Sequence, residues 1–78
     1  MVKIKLIKKN NSIARYYYMP EGKKTNPGVV EYDFRTKEAR LVKLAGEKWD
    51  EYWGHALKLL RGYGSVEKFP ETDASIWY

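Results

Sequence analysis

Apolar residues recur with two different periods along this chain. From Glu47 to Gly62 the residues Trp49, Trp53, Ala56, Leu57 and Leu60 return at steps of four, three, one and three, which gathers all of them on one face of a helix. Glu47, Asp50 and Glu51 fall in the first turn of that segment and Lys58 and Arg61 in the last, the arrangement that complements the helix dipole. Gly62 or Gly64 then supplies a left-handed stop. Burying the stripe stabilises at roughly 25 cal/mol per Å², so the pattern predicts that this helix anchors the core.

Before the helix the period is two. Val2, Ile4 and Leu6 alternate with Lys3 and Lys5, the signature of a strand with one dry and one wet side. Lys9, Asn10, Asn11 and Ser12 form a turn, and residues 13–19 read as a second strand that completes a hairpin. Its alternation puts Tyr16 and Tyr18 on one face and Tyr17 on the other, with Ile13, Arg15 and Met19. Pro20 ends that strand, and residues 21–28 form a loop closed by the turn dipeptide Pro27-Gly28.

A second hairpin is predicted from residues 29–34 and 39–44, with Asp33 placed to cap the turn. Val30, Tyr32 and Phe34 share one face of its first strand, opposite Val29, Glu31 and Asp33. In its second strand Leu41 and Val42 point opposite ways, so the core side stays open and one of the two belongs near an edge. Ala45 and Gly46 turn the chain into the helix. Residues 63–78 are too apolar at Val66, Phe69, Ile76, Trp77 and Tyr78 for a solvated end, and are expected to dock back as an edge strand or as a flap over the helix.

Strands followed by a helix predict an α+β fold: a four-stranded antiparallel sheet of two hairpins, one C-terminal amphipathic helix on one face, and a short docked tail. The whole of 1–78 forms one domain, with 1–46 a basic β-meander, 47–62 the helix and 63–78 the tail. The face opposite the helix is expected to stay open.

Composition sharpens this outline. A chain of 78 residues forms one small core and buries only about 60–65 % of its unfolded surface. Without cysteine it has no disulfide or thiolate metal site. Three Trp, seven Tyr and two Phe are more rings than such a core readily hides, so some should be exposed. Residues 1–46 carry eleven Lys or Arg against four Asp or Glu, while 47–78 carry four against six. The first half therefore projects a positive field that favours anionic partners. Lysines interrupt every apolar run of the first nine residues, which read as a strand and not as a signal peptide or membrane span; a cytoplasmic location and no membrane partner are expected.

Candidate chemistry is sparse. Gly22, Lys23, Lys24 and Thr25 echo the end of a phosphate-binding loop, but position 17, where the first glycine belongs, is Tyr, and Pro27 follows. Glu51 and His55 are four apart on the helix, yet one histidine without a second His or Cys cannot build a chelating cluster. No serine stands in a nucleophile turn, and Glu31 and Asp33, two apart on one strand face, read as surface charges. No enzymatic activity, metal, cofactor or small-molecule substrate is expected.

The constellation with chemical content is Lys3, Lys5, Arg15, Tyr16, Tyr18, Lys23 and Lys24, cations interleaved with rings over adjacent strands and the following loop. If Tyr16 and Tyr18 face away from the helix they supply rings for stacking; if they face it, they fill the core and pair across strands. The expected function is a small non-catalytic binding module working through the open sheet face, its partner another protein or a second copy of this chain. The alternative is single-stranded nucleic acid held by the same Lys, Arg and Tyr surface.

Overall fold

The structure, a computed structural model, describes residues 1–46 and 51–77. Strands β1 (Val2–Lys9), β2 (Ile13–Pro20), β3 (Gly28–Asp33) and β4 (Glu38–Lys43) form two antiparallel hairpins. Helix α1 (Tyr52–Gly62) follows, then a short 3₁₀ turn at Val66–Lys68 and a further strand β5 (Thr72–Ser75). All five strands join one antiparallel sheet in the order β4-β3-β2-β1-β5.

The expectation of a four-stranded sheet is therefore wrong: the tail adds a fifth strand along the outer side of β1. Thr-Asp-Ala-Ser has neither β-branched density nor alternation, so nothing local announces a strand. Tertiary contacts create it. Phe69 is buried against the ring cluster of Tyr16, Tyr32, Phe34 and Tyr63, which brings the chain to the free edge of β1. There the Leu6 N–H donates to the Glu71 carbonyl at 2.7 Å, and Val2 to Lys5 pair with Ser75 to Thr72. Lys9 Nζ reaches the Phe69 carbonyl at 3.1 Å, and the Tyr16 hydroxyl donates to the Pro70 carbonyl at 2.5 Å.

Both hairpin turns are held by an Asx side chain. Asn10 Oδ1 accepts the N–H groups of Ser12 and Ile13 at 2.7 and 2.9 Å, and Asp33 Oδ1 accepts those of Arg35 and Thr36 at 2.8 and 3.2 Å. Two irregularities break the strict alternation. One extra residue around Ile7 shifts the β1–β2 register between Leu6 and Lys8, and a second shift falls between Val29 and Val30 opposite β4. The latter explains why β4 has no single core side. Leu41 lies opposite Val30 on the helix side, while Val42 is half exposed on this edge strand.

Helix α1 packs Ala56, Leu57 and Leu60 onto Val2, Ile4, Ala14, Tyr16, Tyr18, Val30 and Tyr32. Trp53 is half-buried at the margin of this core; Trp49, with Glu47 and Asp50, lies outside the described residues. The described helix has Glu51 at its N-cap and no acidic residue in its first turn. At the other end Tyr63 keeps a helical φ and Gly64, at φ +87°, makes the left-handed exit.

Candidate binding surface on the helix-free face

The dry side of β2 is the one that does not carry its cation. Ala14, Tyr16 and Tyr18 share one parity and can be buried, whereas the other parity contains Arg15, whose guanidinium is expensive to remove from water. Tyr16 and Tyr18 accordingly lie under the helix, both at 0 % exposure. The sequence alternative that placed them on the open face does not hold, and neither ring can meet a partner there.

Their hydroxyls are satisfied inside. Tyr18 accepts the Ala45 N–H at 2.8 Å, and its ring lies so close over Gly28 that a Cβ there would stand 1.9 Å from it. Burial, with the Asp73 charge added, pushes the Tyr16 phenol up to about 12. Burial also raises Tyr63, whose hydroxyl donates to Asp73 Oδ2 at 2.5 Å.

Register places the remaining candidates. On the helix-free face, one row across the sheet runs Thr72, Lys5, Tyr17, Val29 and Lys43; a second runs Ala74, Lys3 and Met19; a third runs Lys8, Arg15, Glu31 and Arg40. Lys3, Lys5 and Arg15 thus share this face. The ring among them is Tyr17, 41 % exposed, in place of Tyr16 and Tyr18. Lys24 joins them from the loop, while Lys23 lines a separate small depression with Pro20, Thr25, Asn26, Ala45 and Gly46.

Glu31 is the one buried charged side chain among the described residues, at 3 % exposure on this face. Two arginines cover it. Arg15 donates from Nε at 2.9 Å and Nη2 at 2.6 Å to Oε1, and Arg40 donates from Nε at 2.9 Å and from Nη2 to Oε2. Burial alone would raise its pKa; the hydrogen bonds and charges of Arg15 and Arg40 outweigh that and hold the carboxyl below the usual range. Asp33, held low first by the Thr36 and Arg35 backbone N–H groups, adds a longer contact to Arg40 at 3.8 Å. The β3–β4 half of the face is thereby close to neutral, and the uncompensated charge concentrates on β1 and the loop.

That uncompensated half is concave. A cleft of about 520 Å³ is lined by Lys3, Ile4, Lys5, Tyr17, Met19, Lys24, Pro27 and Thr72: three lysines, a ring, a thioether and a prolyl wall, with no carboxylate among the described residues that line it. Sequence reasoning missed Tyr17, Met19, Pro27 and Thr72. For the first two a signal existed, because a hairpin that buries Val2 and Ile4 must set Lys3 and Lys5 opposite Met19 and Tyr17. Thr72 carried none, since its place depends on the tail docking as an edge strand rather than as a flap, and on the register it takes along β1.

Other chemistry is thin. Among the described residues no three His, Asp or Glu side chains gather in a ligand-like cluster. His55 stacks on Trp77, ring centroids 3.7 Å apart and planes within 1°. Comparison of the chain with protein-family models, with curated proteins and with solved structures returns no match.

Proposed function

We propose that this protein is a non-catalytic binding module whose helix-free sheet face holds a single-stranded nucleic acid. The observation that carries the reading is the row of Lys3, Lys5 and Lys8 along β1, exposed and facing the same way as Arg15 and Tyr17 of β2. Lys3 and Lys5 are alternate residues about 6.8 Å apart, and the irregularity at Ile7 brings Lys8 to the same face, so these amines form a cationic track rather than a point charge. Single strands are held by such tracks beside exposed rings, without a sequence code.

The face is a poor match for its own copy. An isologous dimer through it would set the same lysines against each other, and juxtaposed like charges oppose association by several kcal/mol. The test is fluorescence anisotropy of a labelled pyrimidine oligonucleotide across a salt series. Roughly four phosphate contacts imply a slope of log K against log salt near −3. A slope near zero, or no binding at low ionic strength, would refute the reading.

A protein partner, including a second copy, is the second reading, and a different place favours it. Val42 and Leu44 are 50 % and 53 % exposed at the end of β4, whose outer edge has no neighbouring strand among the described residues. An apolar pair beside unpaired backbone suits strand addition. Light scattering that finds a dimer, lost on Leu44→Lys, would support it; a strict monomer at high micromolar concentration would exclude self-association.

A further inference from the structure

From the geometry we infer that the cleft between β1, β2 and the 21–27 loop is a subsite for one nucleotide unit of the bound strand, an inference that rests on the nucleic-acid reading above. Its volume, about 520 Å³, lies within the range of about 300–1,000 Å³ typical of small-ligand sites. Its two kinds of lining match the two parts of a nucleotide. Tyr17, Met19 and Pro27 present apolar and aromatic surface to a base, while Lys3, Lys5 and Lys24 present amines to the flanking phosphates. Thr72 adds a hydroxyl able to donate or accept.

Two further clefts lack this combination. The one of about 530 Å³ near the 3₁₀ turn, with Tyr32, Phe34 and Val66, includes the Glu67 carboxylate, which repels phosphate. The one of about 350 Å³ lined by His55, Lys58, Leu59 and Trp77 has a single lysine.

The cleft is also framed by elements of different kinds. Its floor belongs to the β1–β2 ladder, Thr72 comes from the docked tail, and Lys24 and Pro27 come from a loop anchored at each end. At the loop's start Glu21 and Gly22 both take positive φ, closed by the Lys23 N–H bonding to the Pro20 carbonyl at 3.0 Å. At its far end Asn26 accepts the Gly46 N–H at 3.0 Å. The backbone on either side of Lys24 is therefore anchored before a ligand arrives, which lowers the ordering cost of the loop on binding.

Affinity is measured for two oligonucleotides of equal length, one intact and one with all of its bases removed, on the wild-type protein and on Tyr17→Ala, Tyr17→Phe and Lys24→Ala. On the intact strand Tyr17→Ala should bind about tenfold more weakly and Tyr17→Phe close to wild type, because a stacked base contributes about 1–3 kcal/mol. On the abasic strand Tyr17→Ala and wild type should bind alike. Lys24→Ala should lower the magnitude of the salt slope by about 0.7. Tyr17 is half exposed, so both variants at this position are expected to fold, checked by circular dichroism.

If Tyr17→Ala weakens both strands equally, or neither, while the wild-type salt slope stays steep, the base subsite is overturned and the nucleic-acid reading stands. If the wild type binds neither strand, that reading falls first. A polyglutamate peptide of equal charge that displaces the intact strand as well as a second oligonucleotide does would equally overturn the subsite, since it has no base to place there.

Discussion

The contact between Gly28 and Tyr18 makes the sharpest demand on the fold, and Gly28→Ala tests it. A Cβ at position 28 would stand 1.9 Å from Cε1, 2.2 Å from Cζ and 2.6 Å from Oη of Tyr18. Carbon atoms in contact prefer about 3.5–4.0 Å, so the ring or the β3 backbone must give way by about 1.5–2 Å. The ring has nowhere to go: it is fully buried, and its hydroxyl accepts the Ala45 N–H that begins the turn out of β4. Overpacking costs about 1–3 kcal/mol, and stranding the buried Ala45 donor costs about 1–3 kcal/mol more. Together these give about 2–6 kcal/mol, from a total of about 4–12 kcal/mol for a domain of this size.

Urea unfolding followed by tryptophan fluorescence reads the loss. With a slope of about 1 kcal/mol per molar urea, the midpoint should fall by about 2 M or more, and an osmolyte can hold the variant folded long enough for measurement. Tyr18→Val is expensive on its own through the cavity it leaves, but Gly28→Ala should add little in that background, a coupling of about 2 kcal/mol or more. A Gly28→Ala loss below about 0.5 kcal/mol, or a coupling near zero, would refute the steric account.

Glu31→Gln should separate stability from binding: it removes the charge that Arg15 and Arg40 share, lowering stability by about 1–2 kcal/mol since both guanidiniums remain partly in water, while strengthening oligonucleotide binding at low salt. An equal or weaker affinity in that variant would count against the proposed face. Because the Glu31 and Asp33 carboxyls are held below their ordinary values of about 4.3 and 3.9, their contribution is complete above those values and is lost as pH falls through the lower folded ones; acid unfolding monitored by circular dichroism should therefore shift to higher pH in Glu31→Gln. Tyr16 shifts the opposite way, from an ordinary value near 10 up to about 12, so its contribution is complete below about 10 and disappears as pH rises through 12; ultraviolet titration should show Tyr16→Phe removing one late-ionising phenol. Leu60→Ala, at a position with no exposure, should cost about 2–5 kcal/mol by urea unfolding, and a loss under 1 kcal/mol would show that the helix is not the anchor inferred here.

The helix stripe, the two hairpins and the two Asx turns were legible because each is a local property: a period along the chain, or a side chain reaching two or three residues onward. The opposed facing of Arg15 and Tyr16 was equally legible, since strand alternation forbids them a common side. Which of those sides would be dry was not. It follows from the placement of β2 between β1 and β3, where Val2, Ile4 and Val30 already form an apolar surface and the Gly28 gap admits the Tyr18 ring. That the tail docks as a strand and not as a flap was left open for the same reason. Its residues have no strand pattern, and they are extended only because Phe69 is buried by rings from β2, β3 and the helix end, beside an edge of β1 that lacked a partner. Local periodicity determines which elements exist and which residues share a face. Only packing between distant segments decides which face meets water, and therefore that Tyr17, with lysines from β1 and the loop and a threonine from the tail, lines the open cleft.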